Sequence, residues 1–155
     1  MRKRTRAREL ALKYLYQLDL RGRDFLAEMD TFLAESSPPG DVRDYARKLV
    51  LGYLDNASRI DALIVSLSRN WELGRMAALD RNILRMAIHE LEESGDVPPK
   101  VAINEAIELG KRYSTKDSGA FINGILDRVK AILEERRGGA KAAPVDEASS
   151  AVQPG

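Results

Sequence analysis

Apolar residues in this chain recur at the spacing of an α-helix, and this periodicity constrains the fold more than any other feature. Between Arg4 and Leu20 they fall three or four positions apart and form one stripe on a helix of about 3.6 residues per turn. The stripe consists of Ala7, Leu10, Ala11, Tyr14, Leu15 and Leu18. No segment alternates convincingly between apolar and polar residues, as a half-buried strand would. We therefore predict an all-α protein of about seven helices, packed around one core or as two small bundles.

Glycine and proline divide the first half of the chain into predicted helices. Gly22 ends the first helix, and a cluster of Ser, Pro and Gly at 36–40 closes a second, predicted over Phe25–Glu35. Asp41 is a suitable N-cap for a third helix. After a turn near residues 55–58, a fourth helix buries Ile60, Leu63, Ile64 and Leu67.

The second half contains the segment expected to lie at the centre of the fold. Leu79–Glu93 is apolar over half its circumference, which indicates burial on more than one side. Pro99 suits the first turn of a sixth helix that extends to about Tyr113. Polar residues at 114–118 then supply caps for a last helix that ends near Arg136.

Residues 137–155 differ from the rest in composition. Ala, Gly, Pro and Ser dominate, and no aromatic residue is present. Such a segment buries too little apolar surface to offset the loss of chain entropy. We expect one helical domain over residues 1–136 and a disordered tail over 137–155.

Composition argues against most catalytic chemistry. The 155 residues include no cysteine and one histidine, which disfavours disulfides, thiolate or imidazole metal clusters and histidine-bearing triads. No glycine-rich loop suited to phosphate binding is present. No stretch approaches the roughly 18 apolar residues of a membrane helix, and no apolar segment follows the charged start. We expect a cytoplasmic protein without enzymatic activity, cofactor, metal or secretory signal.

The formal net charge of +1 conceals an uneven distribution. The first 23 residues carry eight Lys and Arg against two Asp and Glu, so the remainder is acidic. Clustered cations favour a polyanionic partner, because they displace counterions from its phosphates and the release of those counterions favours binding. A solvated basic helix without a partner is the alternative interpretation.

Three further positions support two interpretations each. Tyr16 lies beside Lys13 opposite the apolar stripe and is either a stacking platform for an unpaired base or a residue at the margin of the core. Asp117 and Ser118 are either helix caps or phosphate-facing groups at a helix N-terminus.

Other residues are expected to be structural. Close packing is the expected role of Gly124, and Trp71 is expected to anchor the junction of two bundles. His89 is expected at the surface, on the polar edge of the fifth helix.

Two long segments resemble the NusB family of transcription antitermination factors. Arg6–Leu20, RARELALKYLYQLDL, is similar to the first helix of that family. From Leu79 to Val129 the motifs LDRNILRMAIHEL, DVPPKVAINEAIEL and DSGAFINGILD follow in the family's order and spacing. The resemblance covers roughly residues 4–136.

The resemblance implies a non-enzymatic fold of two small helical bundles. It further implies binding to the boxA RNA of ribosomal RNA operon transcripts, together with NusE, a protein of the small ribosomal subunit, and assembly of an antitermination complex on RNA polymerase. The family pattern places the RNA-facing positions at Arg4, Arg6, Arg8, Tyr16, Asp80, Asp117, Ser118 and Phe121. Arg2 and Lys3 extend the basic run, and Lys13 continues it along the helix.

The chain departs from this pattern at Thr5, which interrupts the arginine run, and at Gly119 and Ala120 in the last motif. Two alternatives to antitermination remain. One is an RNA-binding accessory related to the NusB-like domain of ribosomal RNA methyltransferases, and the other is a helical scaffold for an acidic protein. A DNA-binding helix-turn-helix is weaker, since no second helix rich in base-reading polar residues is evident. Self-association into a homodimer is a further hypothesis.

Overall fold

A computed structural model describes the backbone of residues 2–68, 76–93 and 96–146, and the side chains of 3–68, 76–93 and 96–138. These residues form seven α-helices and one 3-10 helix, with no strand among them. The α-helices are α1 Arg2–Arg21, α2 Met29–Ser36, α3 Asp41–Asp55, α4 Ala57–Leu67, α5 Ala78–Glu93, α6 Pro99–Tyr113 and α7 Ser118–Asp146. The predicted all-α class is confirmed. Trp71 lies outside the described residues.

The helices form two groups that share one helix. α1, α2 and α3 pack on one another. α4 and α6 each pack on both α5 and α7, and α5 also packs on α7. α5 also contacts α1 and α3, so it joins the two groups. Its buried positions include Asn82, Ile83, Leu84, Ile88 and Leu91. The prediction of a central fifth helix is therefore confirmed.

The segment after α1 differs from the predicted single helix over Phe25–Glu35. Gly22 adopts a φ of 91°, which ends α1, and a 3-10 helix over Arg23–Glu28 precedes α2. Phe25 returns to stack on Tyr14, with ring centroids 5.1 Å apart, and the Tyr14 hydroxyl donates a 2.7 Å hydrogen bond to the Phe25 carbonyl. This packing of Phe25 against α1 favours the tighter 3-10 turn over a continuous α-helix.

The last helix extends beyond its predicted end near Arg136 and continues to Asp146. Apolar contacts of Ile122, Leu126 and Val129 anchor its first half in the core. The helix therefore continues past the domain boundary expected at residue 136. Residues 147–155 lie outside the described residues, and their disorder stays a prediction.

Candidate nucleic-acid interface

The solvent face of α1 carries the exposed cations predicted at the start of the chain. Arg6 and Lys13, seven residues apart, lie on one face two turns from each other, and both side chains are exposed. Tyr16 follows Lys13 by three residues and is half-buried. Lys3 is exposed at the amino end of the helix and lies 3.5 Å from Asp41. The side chain of Arg2 is outside the described set.

Arg8 does not belong to this exposed face. Its side chain is 3% exposed, and its guanidinium forms a bidentate ion pair with Glu90 of α5, with Nε–Oε1 and Nη2–Oε2 distances of 2.9 and 2.8 Å. Glu105 of α6 accepts a further hydrogen bond from Arg8 Nη1 at 3.2 Å and one from the Thr5 hydroxyl at 2.8 Å. Arg8 therefore joins α1, α5 and α6, and this burial corrects its assignment as an RNA-facing residue.

In this buried cluster the pKa values of Arg8 and Tyr45 are both raised, so both side chains keep the protons that they donate in hydrogen bonds. Burial would lower the pKa of Arg8, but hydrogen bonding to Glu90 and the charge of that carboxylate raise it above the usual value. The Tyr45 hydroxyl donates to the same carboxylate, and burial together with that bond raises the pKa of Tyr45. At neutral pH the guanidinium stays charged and the phenol stays protonated.

Arg4 lies at the margin of the buried cluster. Its guanidinium is 4.0 Å from the centroid of the Tyr45 ring, and its Nη2 is 3.9 Å from Asp96 Oδ2. The side chain is nevertheless 40% exposed. Arg4 therefore retains an accessible edge, unlike Arg8.

The carboxyl end of α6 is joined to α1 through an ion pair. Glu9 on α1 pairs with Arg112 near the end of α6, one residue before Tyr113. Lys111 and Lys116 add exposed positive charge to this part of the surface. Glu108 of α6 lies 3.7 Å from Lys111. No local signal reveals the Glu9–Arg112 contact, because 103 residues separate its partners.

The residues predicted around the loop before α7 have different environments. Asp117 is exposed, as an RNA-facing group requires. Ser118 is 1% exposed, and its hydroxyl accepts a 3.1 Å hydrogen bond from the Thr115 amide, which ties the loop before α7 to the first residue of that helix. Phe121 is half-buried and packs against the core. Burial thus removes Ser118 from the exposed surface and leaves Phe121 only partly accessible.

Asp80 lies in the first turn of α5. Its side chain is 9% exposed, and its Oδ1 has no hydrogen-bond partner among the described residues. The adjacent Arg81 pairs with Asp19 at 2.8 Å, near the carboxyl end of α1. Asp80 is therefore buried, near the end of α1 opposite to Arg4 and Lys3. Its carboxylate is not exposed for the predicted contact with RNA.

Two residues expected to be structural also have unexpected positions. His89 is 7% exposed rather than at the surface, and it packs directly against Gly52 of α3. Gly124, expected in a close helix contact, is exposed with no atom within 4 Å of an added Cβ. The close approaches occur instead at Gly52 and at Gly110, where an added Cβ would lie 2.6 Å from Ile122.

The described residues contain neither a membrane-spanning helix nor a cluster of metal ligands. None of the helices in these ranges is long and apolar enough to cross a bilayer. No group of three or more His, Cys, Asp or Glu side chains in the same part of the chain is arranged to hold a metal ion.

An all-α domain with a cationic helix face defines a class of nucleic-acid-binding helical proteins, and comparison with known proteins gives the family. The family model described as "NusB family" matches residues 5–131. The chain belongs to the NusB family.

Relatives and solved structures agree with this membership. The transcription antitermination protein NusB of Desulfatibacillum aliphaticivorans is 46% identical over 129 residues, which are 83% of this chain and 90% of that protein. A structure of T. maritima NusB has a TM-score of 0.75 at 40% identity, covering 83% of this chain and 90% of that one. A structure of the antitermination factors NusB and NusE in complex with dsRNA matches with a TM-score of 0.75 at 29% identity, covering 85% and 98%. These relatives are antitermination factors, and the predicted non-enzymatic class agrees with them.

Proposed function

We propose that this chain is a transcription antitermination factor that binds boxA RNA of ribosomal RNA operon transcripts together with NusE. The observation that carries the proposal is the exposed cationic face of α1, formed by Lys3, Arg6 and Lys13, on a fold of this family. Cations one or two turns apart along a helix can follow a phosphate backbone. A related structure contains NusB, NusE and dsRNA, which supports both partners.

The proposed interface is smaller than the sequence suggested. It comprises Lys3, Arg4, Arg6, Lys13 and Tyr16 on α1, with Arg2 extending the basic run, and the exposed Asp117 of the loop before α7. Arg112 joins it through its ion pair with Glu9, and the exposed Lys111 precedes Arg112 on α6. A patch of this size supplies mostly sequence-independent affinity, so a partner that extends the surface adds both affinity and base discrimination.

Assembly on RNA polymerase and a cytoplasmic location complete the proposal, because nascent transcripts are bound where they are made. Self-association through the basic face is a separate hypothesis, in which a homodimer hides the RNA site until a partner arrives. A mass measurement at micromolar concentration that shows only monomer, at low and high salt, would exclude the homodimer.

The decisive experiment titrates labelled boxA RNA and a scrambled control with the protein, alone and with its cognate NusE, at physiological salt. We expect tighter binding to boxA when NusE is present, and loss of that binding in the variant that combines Arg4→Ala, Arg6→Ala and Lys13→Ala. Equal binding to both RNAs would show that α1 binds polyanions in general, without preference for the boxA sequence. Absence of binding to either RNA would favour the protein scaffold.

A further inference from the structure

Arg4 keeps an exposed edge, unlike Arg8, and is nevertheless held by its surroundings. Its guanidinium stacks 4.0 Å from the centroid of Tyr45, a residue of α3. Lys3, by comparison, has only a 3.5 Å contact with Asp41, and these two side chains are 66% and 80% exposed. An exposed pair of this kind restrains a long side chain weakly.

The side chain of Tyr45 is fixed by a hydrogen bond to a buried residue. Its hydroxyl donates a hydrogen bond to Glu90 Oε2, and the Glu90 side chain is 4% exposed. Arg8 fixes that carboxylate through a bidentate contact. A continuous chain of contacts therefore runs from the buried ion pair, through the Tyr45 ring, to the Arg4 guanidinium at the surface.

The surface beside Arg4 leaves room for a ligand. Arg4 and Tyr45 border an open cleft of about 500 Å³ between α1 and α3, which Lys3, Lys48, Asp41 and Asp44 also line. The Arg4 guanidinium lies over the ring and 3.9 Å from Asp96, while 40% of its side chain remains exposed. The N–H groups at the edge of a stacked guanidinium remain available to phosphate oxygens.

We infer that Tyr45, held by Glu90, is a positioning residue that presents Arg4 to an RNA phosphate. The inference rests on the proposed function, since it names a residue that acts on the same RNA surface without contacting RNA. Ordering a long side chain opposes binding, and an arginine already ordered on a ring avoids much of that loss. Removing the ring should weaken boxA binding by about three- to tenfold.

A double-mutant cycle tests this role. Tyr45→Leu, Arg4→Ala and the double variant are titrated with boxA RNA in the presence of NusE. We expect Tyr45→Leu to weaken binding in the otherwise unchanged protein and to have no further effect once Arg4 is alanine. An undiminished effect of Tyr45→Leu in the Arg4→Ala background would show that the ring acts independently of Arg4, and would overturn the inference.

Phenylalanine variants test the link to Glu90 with a matched control. Tyr45 and Tyr53 both lie on α3, and each donates its hydroxyl to a carboxylate, Glu90 for the first and Asp61 for the second. We expect Tyr45→Phe to weaken boxA binding by about twofold, as loss of part of the side-chain ordering implies, and Tyr53→Phe to leave it unchanged. Equal affinities for Tyr45→Phe and the unsubstituted protein would remove Glu90 from the chain of contacts.

A measurement without RNA separates this inference from the proposed function. The Nε–Hε resonance of Arg4 should show a ring-current shift that Tyr45→Leu abolishes and Tyr53→Phe preserves. Absence of that shift would overturn the stacking itself. Loss of boxA preference in the unsubstituted protein would overturn the proposed function, whereas a preserved preference with equal affinity for Tyr45→Leu would overturn the positioning role alone.

Discussion

The guanidinium of Arg8 and the carboxylate of Glu90 form a bidentate ion pair inside the protein, with the two side chains 3% and 4% exposed. The pair connects α1 to α5, and Glu105 and Tyr45 satisfy further hydrogen-bonding groups around it. An arginine in the basic amino-terminal segment thus stabilises the fold rather than contributing to the surface charge.

Replacing Arg8 with alanine should therefore destabilise the protein more than it alters RNA binding. Removing one partner of a buried pair leaves an uncompensated charge, and we expect a loss of about 3–5 kcal/mol in the free energy of unfolding. Urea denaturation measures the loss. Lys13→Ala, which removes an exposed cation from the same helix, should change stability by less than about 0.5 kcal/mol. An Arg8→Ala variant as stable as the unsubstituted protein would contradict this structural role.

The contrast between Gly52 and Gly124 provides a second prediction. An added Cβ at Gly52 would lie 2.0 Å from His89 Nε2, whereas one at Gly124 would meet nothing within 4 Å. Gly52→Ala should therefore destabilise the fold by about 1–3 kcal/mol through overpacking. Gly124→Ala should stabilise it by about 0.5–1 kcal/mol, because alanine favours an exposed helix position.

Thermal unfolding of the two variants checks this pair. Combining Gly52→Ala with His89→Ala should cost less than the sum of the single changes, since the contact exists only when both side chains are present. Additive effects, or a neutral Gly52→Ala, would contradict the observed approach of His89 to α3.

Periodicity and breakers predict the helices well where each helix buries a continuous stripe. α6 begins at Pro99 and ends at Tyr113 as expected, because proline at the first turn and polar residues at 114–118 mark its ends locally. The prediction failed after Gly22, where the stacking of Phe25 on Tyr14 selects a 3-10 turn. That contact depends on tertiary packing and has no counterpart in local spacing.

The candidate site was predictable only in part, for the same reason. Net charge and helical spacing locate Arg6 and Lys13 on an exposed face. They do not distinguish these residues from Arg8, whose partner Glu90 lies 82 positions away. The family pattern likewise includes the buried Ser118, whose hydroxyl accepts a hydrogen bond from the Thr115 amide, because a sequence motif combines residues that bind a ligand with residues that shape the site.

Buried His89 predicts a specific pH dependence of stability. Burial lowers the pKa of His89, although Glu93, Glu92 and Glu90 oppose the shift. The unfolded chain then binds a proton more readily than the native protein, so stability falls as the pH decreases below the unfolded pKa of about 6.5. Denaturation midpoints of the unsubstituted protein should decrease between about pH 7.5 and 5.5.

His89→Gln supplies the control for that dependence, because His89 is the only histidine in the chain. The variant should show a flatter profile over the same interval, where carboxylates with ordinary pKa values remain ionised. Identical slopes for the two proteins would show that His89 does not bind the proton concerned.

Lys13 allows the proposed RNA surface to be tested through its salt dependence. A lysine that neutralises a phosphate releases counterions, so Lys13→Ala should reduce the slope of log affinity against log salt concentration by about 0.7–0.9. Lys130→Ala is a matched control, since this lysine lies on α7 and is 3.7 Å from Glu134.

Both variants are titrated with boxA RNA and its scramble at several salt concentrations. Lys13→Ala should weaken binding to both RNAs nearly equally, because a phosphate contact carries no sequence information. A selective loss of boxA binding would instead indicate that Lys13 contacts a base.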